Sequence, residues 1–571
     1  MTQYKLSSNQ PSTHFISVQT SIVTTNDTEF FQLPSWRPGR YELGNFAKNV
    51  VNFKILDETN QPVIYKKTTK DGWQIATKKH TTITVSYDYF ANELNAGSTF
   101  VSHEQLYVNP VNCLGYFVGH ENSPCTIELA IPKDYLIATS LRKENHTLFA
   151  TSFDELADSP FICSNSIQHN TYTINSTTFH LWFQGESMIN WAKIISDFTL
   201  FTTKQIEKFG DFPTDDYHFL FQIVSYRAYH GVEHSGSTVI LLGPSHSLFD
   251  EIYSDLLGVS SHELYHTWNV KAIRPIELFP YNFTKENYSE LGFLCEGVTT
   301  YMGDLFLFKS KVFTEEEYFN ELNQQLQKHF DNPGRFNYSV AASSFDTWLD
   351  GYVPGVPNRK VSIYTEGCLI ALVCDLMIIH HSKNQHNLDD VMYELYHEFA
   401  KKGKGVSIND YKLTLEKFIG QSLNELFENY VFGTHDYLLL LKNALSYIGL
   451  EIKITPNHKS YISIYGFKCV PNGEHFTVKS IYPNSPAENS MLELEDEIIA
   501  VNNYDTAGEL EKWFAFFKTK EIHLLVKRKG HYHNLHLMNN SSNYTYYNNY
   551  SVKKNQHPSE SVIENYEHWS K

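Results

Sequence analysis

A chain of 571 residues is too long for one hydrophobic core at the usual ~100–200 residues per domain, and it predicts about three to five domains. With 42% hydrophobic, 15% aromatic and only 19% charged residues, intrinsic disorder is excluded for most of the length. Lys+Arg 46 against Asp+Glu 64 leaves −18, a balance that repels nucleic-acid phosphates and anionic lipid, and the basic runs at Lys66, Lys67, Lys70 and at Lys401, Lys402, Lys404 are too short to reverse it, so neither nucleic acid nor membrane is an expected partner.

The first residues lack the apolar run of about 7–15 residues that a secretory signal needs. Segments 14–24, 50–56, 81–89 and 126–131 alternate apolar and polar residues between turn formers, which predicts an N-terminal all-β domain over 1–175. From 176 to 449 one or two strands (218–225, 237–242) precede helical periodicity at 249–268, 294–308, 314–330, 363–381 and 388–401, so a mainly helical domain follows. The apolar stretch 367–379 contains Asp375 and falls short of the roughly 20 residues that cross a bilayer; it predicts a buried helix. Short strands return at 476–481, 497–501 and 522–527, giving a compact β module over 450–538. Residues 539–571, rich in Asn, Tyr and Ser, predict a polar tail that is disordered or loosely packed. The fold class is multidomain α+β. Seven cysteines, odd in number and without a CxxC pair, suggest neither a disulfide framework nor a thiolate metal site, and a reducing cytoplasm is the expected compartment.

The strongest chemical signal is His262-Glu263-Leu264-Tyr265-His266, an HExxH in a segment that predicts helix. Residues four apart share a helix face, so both imidazoles can reach one ion while Glu263 lies beside its open position. Zinc takes imidazole and carboxylate, and three such ligands with water form a catalytic tetrahedron; one Zn²⁺ is the expected cofactor. The third ligand is sought downstream, where Glu296 sits in the apolar run Gly292-Phe-Leu-Cys-Glu296-Gly297. A carboxylate there is costly to bury unless paired or metal-bound. The bland alternatives are two histidines one turn apart on an ordinary helix and a carboxylate favoured by a helix N-terminus.

Four separated motifs resemble the glycyl aminopeptidase family of PDZ-bearing zinc metallopeptidases. They are His262-Glu-Leu-Tyr-His-Thr-Trp-Asn-Val-Lys-Ala-Ile-Arg-Pro275, Glu296-Gly297-x-Thr-x-Tyr301, the upstream Pro34-x-Trp36-x-Pro38-Gly39-x-Tyr41, and the PDZ-like strands Phe476-Thr-Val-Lys-Ser-Ile-Tyr-Pro-Asn-Ser-Pro-Ala487 with Leu494 to Asn502. The resemblance covers about residues 4–538 and implies a thermolysin-like catalytic domain over 176–449 and a PDZ-like domain over 450–538. It also implies that Glu233, in His230-Gly-Val-Glu-His234, grips the α-ammonium of the substrate, and that Tyr364, in Tyr364-Thr-Glu-Gly367, stabilises the oxyanion; Glu366 stands where related enzymes carry lysine.

The expected function is a zinc aminopeptidase releasing glycine, then alanine, from peptides with a free N-terminus. His262, His266 and Glu296 hold the metal, Glu263 is the general base, and the PDZ-like module is a candidate receptor for peptide C-termini. The alternatives are a zinc endopeptidase on the same scaffold and a catalytically silent PDZ-type binding protein.

Overall fold

The computed structural model describes residues 1–352, 355–518, 520–538 and 544–571. In the N-terminal part, strand Thr2–Ser7 pairs parallel with Cys125–Ala130 and antiparallel with Phe15–Val23, near the middle of a seven-stranded sheet. Its period-2 burial places Tyr4, Leu6, Ile16 and Val18 inward. Two four-stranded sheets complete the β-rich domain, with Phe31 and Trp73 in the shared core.

The helical middle of the chain is built against a five-stranded sheet, in the order Gln168–Ile174, Thr177–Gln184, Asp216–Ile223, Ser237–Gly243, Ala228–Glu233. The central three strands run parallel, and Ala228–Glu233 lies antiparallel at one edge, ending on Glu233. Helix Tyr253–Tyr265 packs on this edge. Helix Ile363–His381, with mean hydropathy 1.6, is the expected buried helix; Asp375 within it accepts from Tyr301 Oη at 2.5 Å and Leu388 N at 2.8 Å, which satisfies a carboxylate otherwise too costly to bury.

Three expected boundaries shift. Strand Gln168–Ile174 pairs with Thr177–Gln184, so the helical domain begins before 176. Strand Leu450–Thr455 pairs with Asn549–Lys554, and Leu450, Ile452 and Val552 join the helical core, so the third module begins after 455. Of the expected tail 539–571, residues 539–543 lie outside the described residues, and 544–571 are not loose. Helix Glu560–Ser570 buries Trp569 completely in the helical core, where Nε1 donates to Tyr301 Oη at 2.9 Å. Composition misleads here because a segment with few apolar residues needs only one or two well-placed anchors when a docking surface already exists.

The C-terminal module has its own core and a six-stranded sheet containing Phe467–Asn472, His475–Ile481, Glu497–Val501, Ile522–Arg528 and His531–Leu537, crossed by helix Leu510–Phe516. Lys468 Nζ pairs with Asp331 at 2.5 Å and ties the module to the helical domain.

Candidate metal and catalytic centre

The centre forms where helix Tyr253–Tyr265 meets a π-helical turn, Phe293–Val298, that runs into helix Thr299–Lys309. His266 keeps right-handed helical geometry just past the first helix, so it stays one turn above His262 on the same face. The two Nε2 atoms are 3.0 Å apart, and Glu296 Oε2 lies 3.3 Å from His266 Nε2 and 3.7 Å from His262 Nε2. Metal–ligand bonds of about 2.0–2.1 Å in a tetrahedron require ligand atoms about 3.3–3.4 Å apart, so this triangle fits a zinc-sized ion.

The motif residue Asn269 holds the triangle together. Its carbonyl accepts from His266 Nδ1 at 3.0 Å; since a carbonyl only accepts, Nδ1 keeps a proton, and Nε2 is the nitrogen that would offer a lone pair to an ion once its own proton leaves. The Asn269 side-chain amide donates to Leu294 O at 2.9 Å, Cys295 O at 3.2 Å and Thr299 Oγ1 at 3.0 Å, which fastens the π turn to the first helix. Gly297 meets Gly367 backbone to backbone: a Cβ on Gly297 would lie 2.2 Å from Gly367 Cα. That contact brings Tyr364, in the first turn of its helix, beside the centre, with its ring 6.3 Å from that of His262.

The local field favours a cation. Burial would raise the Glu296 carboxyl, but the charge of His266 and bonds to both histidines hold it down at about 2. Burial would lower His266, yet Glu296, with Glu233 and Glu263 beyond it, lifts it to about 10. Burial lowers His262. Glu263 stands well above the usual carboxylate range because of its burial; His266 pulls the other way, while Glu233 and Glu296 push it further up. Its Oε2 is buried with no hydrogen-bond partner.

Glu233 converges on the same point: ligand atoms of Glu233, Glu263 and His266 lie within 4.8 Å of one another, as do those of His262, His266 and Glu296. Tyr364 is half-buried, and its phenol is raised by that burial and then by the charge of Glu296, so it stays a donor. Glu366 points elsewhere: its carboxylate bonds His329 Nδ1 at 2.8 Å in the helical core, which removes its charge from the centre.

Other residues at the centre went unassigned from sequence. Gly231, on the edge strand, leaves room for Glu263, since a Cβ there would lie 2.1 Å from Glu263 Oε1. From the N-terminal domain, Gly39 lies against Glu233, where a Cβ would sit 2.6 Å from Oε2, and the charge of Glu233 reaches the buried Arg37. The signal for Arg37 and Gly39 is the Pro-x-Trp-x-Pro-Gly motif. Trp36 of that motif donates to Asn282 O at 2.7 Å and packs edge-on against Trp348, docking the turn onto the helical domain.

Residues 3–165 match the Peptidase M61 N-terminal domain, and residues 255–370 match the M61 glycyl aminopeptidase domain. Among solved structures, an aminopeptidase N family protein from Idiomarina loihiensis superposes with TM-score 0.90 at 24% identity over 100% of both chains. The M1 zinc metallopeptidase from Deinococcus radiodurans gives TM-score 0.48 at 13% identity, covering 76% of this chain and 93% of that one; a mutant of it bound to a Tyr-Ser-Ala substrate gives 0.47. The search of curated proteins finds no relative of this chain. The class defined here is a metallopeptidase. The chain carries, in order, the N-terminal and catalytic domains of the M61 glycyl aminopeptidase family, the family that its motifs resemble.

Proposed function

We propose that this metallopeptidase is a zinc aminopeptidase that releases small N-terminal residues, glycine and then alanine, from peptides. The observation that carries this reading is the sharing of His266 by two clusters, the metal-fitting His262, His266 and Glu296 and the carboxylate pair Glu233 and Glu263. One cluster suits a Lewis acid, and the other places a second negative charge a short step away, where a substrate ammonium would sit.

His262, His266 and Glu296 would hold one zinc ion. When bound, zinc lowers the pKa of water and polarises a carbonyl. Glu233 accepts hydrogen bonds from the substrate α-ammonium and so counts one residue from the N-terminus. Glu263, ionised once a cation beside it offsets the burial that holds it neutral, would take a proton at its unpartnered Oε2 from the attacking water and return it to the leaving nitrogen. The Tyr364 phenol, kept protonated, donates to the oxyanion that develops on the scissile carbonyl. The glycyl aminopeptidase description of the matched domain supports the glycine preference.

For the PDZ-like module we propose a scaffolding role. Tyr461 packs on both Phe467 of the edge strand and Phe514 of helix Leu510–Phe516, so that strand and helix close on one another in the module's own core. A fluorescent peptide with a free C-terminus is expected not to bind the full chain, and saturable binding would restore the receptor reading.

The test of the enzyme assignment compares hydrolysis of a glycyl amide with that of its N-acetyl form. Loss of the ammonium–Glu233 pair is expected to lower kcat/KM by about 10- to 100-fold. Equal rates on both would sink the aminopeptidase reading and leave an endopeptidase.

A further inference from the structure

Two motif residues beside the centre have no part in the chemistry above: His234, next to Glu233, and Lys271, in the loop after the HExxH helix. Both bond one carboxylate from the other domain. Asp158, which ends the short helix Phe153–Ala157 of the N-terminal domain, accepts at Oδ1 from Lys271 Nζ at 2.8 Å and from His234 Nδ1 at 3.1 Å. Its Oδ2 accepts from Ser235 N at 2.9 Å and Ser235 Oγ at 2.7 Å. The Lys271 side chain is 1% exposed, so this is a desolvated pair in which either charge alone would be costly.

Both arms lead directly to the centre. Lys271 N donates to the carbonyl of His266 at 3.1 Å. Between them Val270 has φ +89°, a conformation that β-branched residues rarely adopt and that persists only where neighbours impose it. On the other side His234 N donates to Ser237 O at 2.9 Å and closes the turn that follows Glu233. We propose that Asp158 is a positioning residue that fixes the separation between Glu233 and His266, so that docking of the N-terminal domain completes recognition of the substrate's amino terminus. This rests on the aminopeptidase reading and adds to it the group that sets the register.

The test uses the full-length zinc enzyme and three variants, Asp158→Asn, Ser235→Ala and, as reference, Glu233→Gln, each assayed on a glycyl amide and its N-acetyl form alongside zinc content and melting temperature. Asp158→Asn puts an amide NH2 where Ser235 needs an acceptor, and it removes the charge facing Lys271. It is expected to raise KM for the free amine about tenfold, to leave KM for the acetylated form unchanged and to retain zinc. Ser235→Ala, which loses one hydroxyl arm, is expected to move the same ratio in the same direction by about two- to fivefold and decides the matter if Asp158→Asn does not fold. A zinc-loaded Asp158→Asn with wild-type discrimination overturns the inference. So does a fall in kcat on both substrates alike with a lower melting temperature, the mark of a merely structural residue. If the wild type and Glu233→Gln fail to discriminate at all, the aminopeptidase reading itself is what falls.

Discussion

Glu263 and Gly231 form a unit, because the Glu263 carboxylate lies where the edge strand has no side chain. Glu263 lies outside the triangle of His262, His266 and Glu296, so Glu263→Gln is expected to keep near-stoichiometric zinc and to lose about 10²- to 10⁴-fold in kcat; wild-type turnover in a zinc-loaded variant would remove Glu263 from the reaction. Gly231→Ala tests the space rather than the charge. Its Cβ would overlap Glu263 Oε1 and push the carboxylate off its position, and a displacement near 1 Å costs about 10²-fold. The expected result is a folded, metal-loaded protein of low kcat, checked by circular dichroism and metal analysis beside the kinetics.

The centre is an assembly of three elements, the HExxH helix, the π turn with Glu296 and the helix that begins near Tyr364. Asn269 joins the first two, with its carbonyl on His266 and its amide on carbonyls of the turn that carries Glu296. Asn269→Ala is therefore expected to weaken zinc affinity by about 10- to 100-fold in competition with a chelator, with unchanged affinity ruling out this role. The element after the π turn carries a different marker. On helix Thr299–Lys309, burial and the neighbouring Glu321 push the Asp304 carboxyl up to about 8. The unfolded chain ionises this group near pH 4 while the folded chain keeps it protonated, so the folded state binds the extra proton between those values. Its stabilising contribution is complete below about pH 4 and is lost as pH rises toward 8. Asp304→Asn is expected to flatten the fall of melting temperature over that window, and a parallel shift at every pH would contradict it.

At the scale of the molecule, the end of the chain completes the helical domain rather than leaving it. Trp569 fills the core beside Phe308 and Tyr318 and bonds Tyr301, whose hydroxyl also serves Asp375. Trp569→Ala is expected to destabilise this domain by about 3–5 kcal/mol, measured by denaturant unfolding followed in the helical signal; a change under 1 kcal/mol would show the helix to be peripheral. Docking of the N-terminal domain matters in the same way, through Trp36 and through the turn that carries Arg37 and Gly39.

The sequence by itself determined the local chemistry: which residues alternate or recur at helical period, and which pair of histidines shares a helix face with a carboxylate between them. Periodicity is a property of neighbouring residues, so the helix at 363–381 and the HExxH helix were legible without tertiary information. Only the tertiary structure decided which side chains meet across distance. That Trp569 returns to the helical domain's core, that Gly297 meets Gly367, that Glu366 turns to His329 and that Asp158 gathers His234 and Lys271 are all contacts between residues far apart in the chain. Each is selected by mutual burial and pairing of groups whose separate sequence neighbourhoods carry no mark of one another.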